Sequence, residues 1–206
     1  MVEFIFRYAH LMTQPPTGRR ERKKAATRQA IADAALALFL EHGYDQVSIR
    51  DIADAADVST TTLFKHFSGK EALVFDQDEA REAELVAAVR ERPAGQDIVD
   101  ALREYVLDNW LPIAESPQLA QFINLVDATP VLRAYSERAW ARLADSLAVA
   151  IAEETGADHA DLACLTLARF VVEIPALTRN RPDRRAAVET IFDILRNGWT
   201  PPARRT

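Results

Sequence analysis

The sequence predicts an all-α protein in two parts, an N-terminal domain of three short-spaced helices and a longer helical body behind it. Three observations lead there. Apolar residues recur at i, i+3, i+4 and i+7 in one segment after another, Pro and Gly punctuate those segments, and no run alternates apolar and polar residues as a strand would. At 206 residues the chain exceeds one average domain and falls short of three. Apolar residues make 49% of it and charged residues 27%, which excludes a disordered or collagen-like chain. No apolar run reaches the ~18 residues of a membrane span, so no membrane partner is expected. The single Cys164 excludes an internal disulfide and a Cys-rich zinc site, and fits a reducing cytoplasm.

The formal net charge of −6 argues, taken whole, against a nucleic-acid partner. Counted by segment it does not. Residues 1–75 carry ten Lys and Arg against nine Asp and Glu, whereas residues 76–206 carry fifteen against twenty-two. Within the first part, Arg19 to Arg28 (RRERKKAATR) holds six basic side chains and only Glu21 against them. A solvated, frayed helix start would look the same, but the asymmetry suggests a basic contact surface on an acidic body.

The opening MVEFIFRYAHLM lacks the basic n-region, long apolar stretch and cleavage site of a signal peptide. With the Pro/Gly-rich TQPPTG that follows, residues 1–18 read as a disordered lead-in, and Met12 as the natural start. From about Arg20 to His42, Ile31, Ala34, Ala35, Leu38 and Phe39 mark an amphipathic helix that Gly43 stops. Ser48, with Asp51 three residues on, caps a second helix of about two turns whose stripe is Ile49, Ile52, Ala53 and Ala56. Asp57 and Val58 make a tight break. Ser59 then caps a third helix with Leu63, Phe64 and Phe67 on its buried side, and Ser68 and Glu71 have capping-box spacing for a fourth, running from Lys70 to Arg92.

Two short helices about three residues apart, turned onto a common first helix, form a helix-turn-helix whose second member is the reading head. Its outward residues Thr60, Thr61, Lys65 and His66 suit a major groove, where Thr methyl groups touch thymine and Lys donates to guanine acceptors. Ser48, His66 and Lys70 sit at helix starts and edges, where phosphates are met. A helical cap domain with no DNA role satisfies the same spacing.

At these residues the chain resembles a known family. Thr27-Arg28, Ile31 to Phe39, Gly43-Tyr44, Val47 to Ala53, Val58 to Phe67 and Lys70 to Leu73 are similar, in unbroken register over about 50 residues, to the DNA-binding domain of TetR-type transcriptional regulators. The resemblance implies a dimeric, usually repressing regulator that binds an inverted-repeat DNA operator and is released by a small molecule held in its C-terminal domain. By position, Thr60, Thr61 and Lys65 would face bases, while Ser48, Thr62, His66 and Lys70 would hold phosphates. Arg50, Ser59 and Phe64 complete the expected DNA-binding set. Two positions depart from the pattern: Asp57 stands where the family usually has Gly, and Phe64 where it often has Tyr, losing a hydroxyl that meets the DNA backbone. Asp tolerates the left-handed conformation better than most residues.

Residues 19–75 are thus expected to be the DNA-binding domain and 76–206 a helical ligand-binding and dimerisation domain. Its helices are expected at Asp97 to Glu115, Pro117 to Ala128, Pro130 to Thr155, Asp158 to Arg179 and Asp183 to Gly198. The last two carry wide apolar stripes, Leu162, Leu165, Ala168 and Phe170 to Val172 in one, and Ala187, Val188, Ile191, Phe192 and Leu195 in the other, which suits a four-helix bundle shared between two subunits.

Trp110, Phe122, Leu125, Trp140 and Phe170 are candidate ligand-binding residues, though aromatics at this spacing are more often core. Glu173, amid apolar neighbours and before the helix-kinking Pro175, would anchor a cationic or hydroxylated ligand or pair with Arg169. A looser similarity, over Phe64 to Asp100, Ala101-Leu102 and Pro130 to Arg133, points to a TetR subgroup assigned acyl-CoA-like ligands, in which case Arg103, Arg133 or Arg169 would meet phosphates. His10, His42, His66 and His159 are scattered and no Gly-rich phosphate loop occurs, so neither an enzyme nor a metal or cofactor site is expected. A helical adaptor binding protein through the same face is the other reading.

Overall fold

The structure, a computed structural model, describes residues 18–114 and 117–200. The lead-in up to Thr17 and the expected Met12 start lie outside the described residues. Among these, every regular element is helical: α1 (Arg19–His42), α2 (Ile49–Ala55), α3 (Thr60–Phe64), α4 (Lys70–Val74), α5 (Asp78–Arg90), α6 (Ile98–Tyr105), a π-helical turn (Val106–Trp110), α7 (Leu111–Ala114), α8 (Pro117–Ala128), α9 (Pro130–Thr155), α10 (Leu162–Thr178) and α11 (Arg184–Asn197). No described helix is long and apolar enough to cross a membrane.

The described chain forms two compact units, one from residues up to 79 together with 117–138, the other from 80–114 together with 139 onward. A boundary drawn once near residue 75 misses this return of the chain. Leu125, Val126 and Leu132 share one buried cluster with Ile31, Phe39, Ile52, Leu63 and Leu73, so α8 and the start of α9 complete the core beneath the first three helices. The buried stripe of α1 is Ile31, Ala32, Ala35, Leu36 and Phe39, with Ala34 and Leu38 at its margin. Phe39 is fully buried, and truncating such a ring costs about 3–5 kcal/mol.

The expected helix from Lys70 to Arg92 is interrupted. Phe75 leaves helical geometry at φ −112°, ψ 41°, and its ring stacks on Tyr135 with centroids 4.9 Å apart and meets Phe122 edge-on at 5.8 Å. Packing three half-buried rings together outweighs one more helical turn. The capping box from Ser68 does not form either. Gly69 takes the N-cap position without a side-chain bond, and the Glu71 carboxylate is drawn to the Tyr44 phenol instead.

In the second unit Leu85, Val89, Leu102, Leu147, Ala168, Val171, Ile174 and Phe192 form the centre of a buried cluster that also takes in Cys164. The helix expected from Asp97 to Glu115 widens at Val106–Trp110 into a π turn, where Asn109 Nδ2 donates to the Tyr105 carbonyl at 3.0 Å. Asp97 is its N-cap, accepting from the Val99 amide. The helix expected from Asp158 begins later, because Asp161 accepts from the amides of Ala163 and Cys164 and sets the start of α10 at Leu162. Asp183 caps α11 in the same way through Ala186.

Candidate nucleic-acid interface

The reading head is built from local hydrogen bonds that its sequence encodes. Ser48 and Asp51 form a full capping box, with the Ser48 amide donating to Asp51 Oδ2 at 2.8 Å and the Asp51 amide to Ser48 Oγ at 3.2 Å. The hydroxyl also donates to Asp51 Oδ2 at 2.7 Å. These bonds hold the Asp51 carboxyl below the usual carboxylate range. The end of α2 closes by a Schellman pattern: the Val58 amide donates to the Ala53 carbonyl at 2.9 Å and the Asp57 amide to the Asp54 carbonyl at 3.2 Å. Asp57 supplies the left-handed residue this requires, at φ 51°. Ser59 then starts α3, accepting from the Thr62 amide at 3.0 Å and sharing a bond with the Thr62 hydroxyl at 2.9 Å.

One side of α3 is anchored by Leu63 and Phe67, both buried. The other presents Thr60, Thr61 and Lys65, all exposed. Phe64 belongs to this outer side, since 55% of it is exposed. Its expected place in the core is corrected by the register: Leu63 on the helix and Phe67 just beyond its end, four residues apart, take the inward side. Its expected place in the DNA-binding set agrees with the exposure. Arg50 is exposed on α2 and lies 3.8 Å from Asp54. The expected phosphate-holding residues thus differ in freedom. Ser48 has committed its hydroxyl proton to Asp51, whereas Thr62 and His66 are half-buried at the edge of α3. Lys70 donates to the Tyr44 carbonyl with its ammonium 4.0 Å from the centre of the Tyr44 ring. That burial lowers its pKa, and two ammonium protons remain for another acceptor.

Arg28 is a functional residue the sequence reading left unassigned. Its guanidinium donates to the His66 carbonyl at 2.5 Å and to the Asp76 carbonyl at 3.1 Å, and lies 4.3 Å from the centre of the Phe67 ring. It therefore ties α1 to the end of α3 and to the break at Phe75. The signal was its place three residues before Ile31, just off the apolar stripe. The His66 imidazole is held below its ordinary pKa by partial burial and by the charges of Arg28 and Lys24.

The six expected ligand-binding residues are divided between the two units. Trp110 and Trp140 meet edge-on in the second unit, centroids 6.1 Å apart. Phe122 and Leu125 belong to the core of the first unit, and Phe170 and Glu173 are exposed on α10. The expected Glu173–Arg169 pair is absent because Arg169 bonds Asp145 at 2.9 Å. Arg103 is likewise held by Glu189, at 2.9 and 3.0 Å. Beside the tryptophans, Tyr105 donates to Glu84 at 3.4 Å, and burial raises the pKa of both. Trp110 Nε1 is buried without a well-formed hydrogen bond. An open groove of roughly 240 Å³ is lined by Tyr105 together with Glu91, Arg92, Glu104 and Asp108 among others.

Comparisons with known proteins agree with this geometry. Residues 31–76 match the family model of bacterial regulatory proteins of the tetR family, and residues 96–197 match the MftR C-terminal domain. The chain is 32% identical over 151 residues to the HTH-type transcriptional regulator TcmR of Streptomyces glaucescens, covering 70% of this chain and 67% of that one. It is 29% identical to the putative mycofactocin biosynthesis transcriptional regulator MftR of Mycobacterium tuberculosis, over 75% and 78% of the two chains. Among solved structures, a TetR-family regulator from Streptomyces coelicolor matches with a TM-score of 0.59 at 20% identity, over 87% of this chain and 97% of the other. FadR of Thermus thermophilus, solved with lauroyl-CoA, matches at 0.52 and 26% identity over 87% and 98%. A capped helix-turn-helix with a polar outer face, a helical body behind it and these two family matches make the chain a member of the TetR family of DNA-binding transcriptional regulators.

Proposed function

We propose that the protein is a homodimeric repressor acting in the cytoplasm, which binds an inverted-repeat operator and leaves it when a small molecule binds its helical body. The observation that carries the reading is α3: a helix anchored inward by Leu63 and Phe67 while Thr60, Thr61, Phe64 and Lys65 stand exposed. Thr60, Thr61 and Lys65 read bases, and Thr62, His66 and the free ammonium protons of Lys70 meet phosphates, with Ser48 and Ser59 fixing the helices that present them.

The dimer reading rests on α10 and α11. Leu162, Phe170 and Leu177 on α10, Ile194 on α11 and Trp199 just beyond are exposed large apolar side chains. At 3.6 residues per turn the three on α10 fall within about 80° of arc, a continuous strip of the kind a second copy covers. Two reading heads then sit about 34–36 Å apart, on successive major grooves. The effector is proposed to enter the second unit beside Trp110, Trp140 and Tyr105, and an acyl-CoA-like compound is the class favoured by the looser resemblance and the lauroyl-CoA complex of FadR. Of the three arginines considered for its phosphates, Arg103 and Arg169 are held by carboxylates.

Selection of bound duplexes from a random pool by the purified protein, followed by light scattering of the complex, tests the reading. An inverted repeat bound by two chains is expected. Binding with no sequence preference, or by single chains to unrepeated sites, overturns it. Calorimetry against acyl-CoAs of several lengths tests the effector class, and release only by unrelated compounds removes it.

A further inference from the structure

Tyr105 and Trp110 are five residues apart, which on an α-helix would turn their side chains about 140° away from each other. The helix widens at Val106–Trp110, where the Leu111 amide reaches back five residues to the Val106 carbonyl. That widening brings the two side chains to one side, and their rings meet edge-on with centroids 5.7 Å apart. Pro112 favours it, since proline has no amide to offer the Asp108 carbonyl and its ring crowds that carbonyl in a regular α-helix. Turns of this kind recur at functional sites. Both side chains are at least nine-tenths buried, and neither polar group is well satisfied. Trp110 Nε1 has no well-formed hydrogen bond among the described residues. The Tyr105 hydroxyl reaches Glu84 only at 3.4 Å, beyond the length of about 2.7–2.8 Å usual for such a bond. Two adjacent buried donors left in that state are costly, and an oxygen from outside the chain would complete them.

The surroundings limit what that oxygen belongs to. Trp140 meets Trp110 at 86° with centroids 6.1 Å apart, and Leu107, Leu143 and Leu147 share their buried cluster, so the body that carries it is apolar. Glu84 and Arg81 act on Tyr105 with opposite charges, which leaves no net cation to hold a carboxylate or phosphate there. Resting on the effector reading above, we propose that the effector carries a neutral carbonyl oxygen on an apolar body, and that Trp110 Nε1 and the Tyr105 hydroxyl donate to it together. A carbonyl oxygen has two lone pairs to accept both bonds and, unlike an alcohol, no proton of its own to place. An acyl thioester and a flat aromatic ketone both present such an oxygen.

Two pairs of probes separate these sources, each matching a carbonyl compound with a twin that lacks the oxygen: lauroyl-CoA against its thioether dodecyl-CoA, and acetylnaphthalene against ethylnaphthalene. Calorimetry with the full chain is expected to show the carbonyl member of one pair binding about ten-fold more tightly than its twin. Trp110→Phe keeps a ring in place and removes one donor, so the ratio should fall to about three-fold. Tyr105→Phe should lower it equally, and the double variant should bring it near one. Equal binding of both twins by the wild type assigns the missing oxygen to water and overturns the carbonyl contact. A ratio that stays near ten-fold in both single variants overturns it too, because other groups then make the bond. Binding of neither carbonyl compound, up to its solubility limit, overturns the carbonyl class. Release of operator by some other compound then keeps the effector reading, whereas release by none removes both.

Discussion

Asp57 shows how one side chain sets the angle between two helices. At φ 51° it occupies the left-handed region, where a Cβ costs about 1–2 kcal/mol and glycine costs nothing. Asp57→Gly is expected to raise the stability of the first unit by about 1 kcal/mol or less, since glycine loses more chain entropy. Denaturant unfolding measures it, and a loss of stability would mean that the aspartate makes a compensating contact. The Lys65 side chain is exposed and makes no hydrogen bond among the described residues, so Lys65→Ala should leave the fold intact and relax discrimination between operator and near-operator sites by about 1–3 kcal/mol. Equal loss on operator and random duplex would assign Lys65 to phosphate instead. His66 has a folded-state pKa below its unfolded value of about 6.5. Its neutral form is the one the fold accommodates, so the contribution is whole above that pH and falls as pH drops through the window beneath it. Thermal melts between pH 7 and 5 should show His66→Gln losing less stability than wild type; parallel curves would count against the burial of the ring.

Local signals decided the short helices. The capping box of Ser48 and Asp51, the Ser59 cap and the Gly43 stop lie within a few residues of the backbone groups they satisfy, so they were legible without the fold. The break at Phe75 was not, because its cause is the pair of rings from α8 and α9, Phe122 and Tyr135, more than forty positions along the chain. Arg28 joins the same region to α3. Arg28→Met removes two donors from buried-side carbonyls, at a cost of about 1–3 kcal/mol each where solvent cannot replace them. Operator affinity is expected to fall by more than random-duplex affinity, because the orientation of α3 loosens. Binding curves on both duplexes check this; equal losses would make Arg28 a general cation and not a strut.

The division of charge has a counterpart in how the cations are used. Arg90, Arg92, Arg103, Arg169 and Arg196 of the acidic second unit are held in ion pairs, whereas Arg19, Arg20, Lys23 and Lys24 at the start of α1 are exposed, so the average of −6 describes neither surface. The apolar strip on α10 bears on assembly. Phe170→Glu combined with Leu177→Glu places two carboxylates on exposed side chains, leaving the buried face of α10 unchanged. Sedimentation should find a folded single chain with much weakened operator binding. A dimer that persists would move the interface elsewhere. Glu173 lies on this outward strip between the two, which explains why a carboxylate set among apolar neighbours in the sequence is not buried.

The sequence by itself determined the helical class, the caps and turns of the reading head, and the residues that head presents, since these depend on contacts within about five positions. Family membership was legible for the same reason. The tertiary structure alone decided which way Phe64 faces, where the long fourth helix breaks, that α8 and the start of α9 complete the core beneath α1, and that Arg103 and Arg169 are held by carboxylates. Each of those outcomes is a competition between partners distant along the chain, and burial of rings and pairing of charges settle it only once the helices are packed.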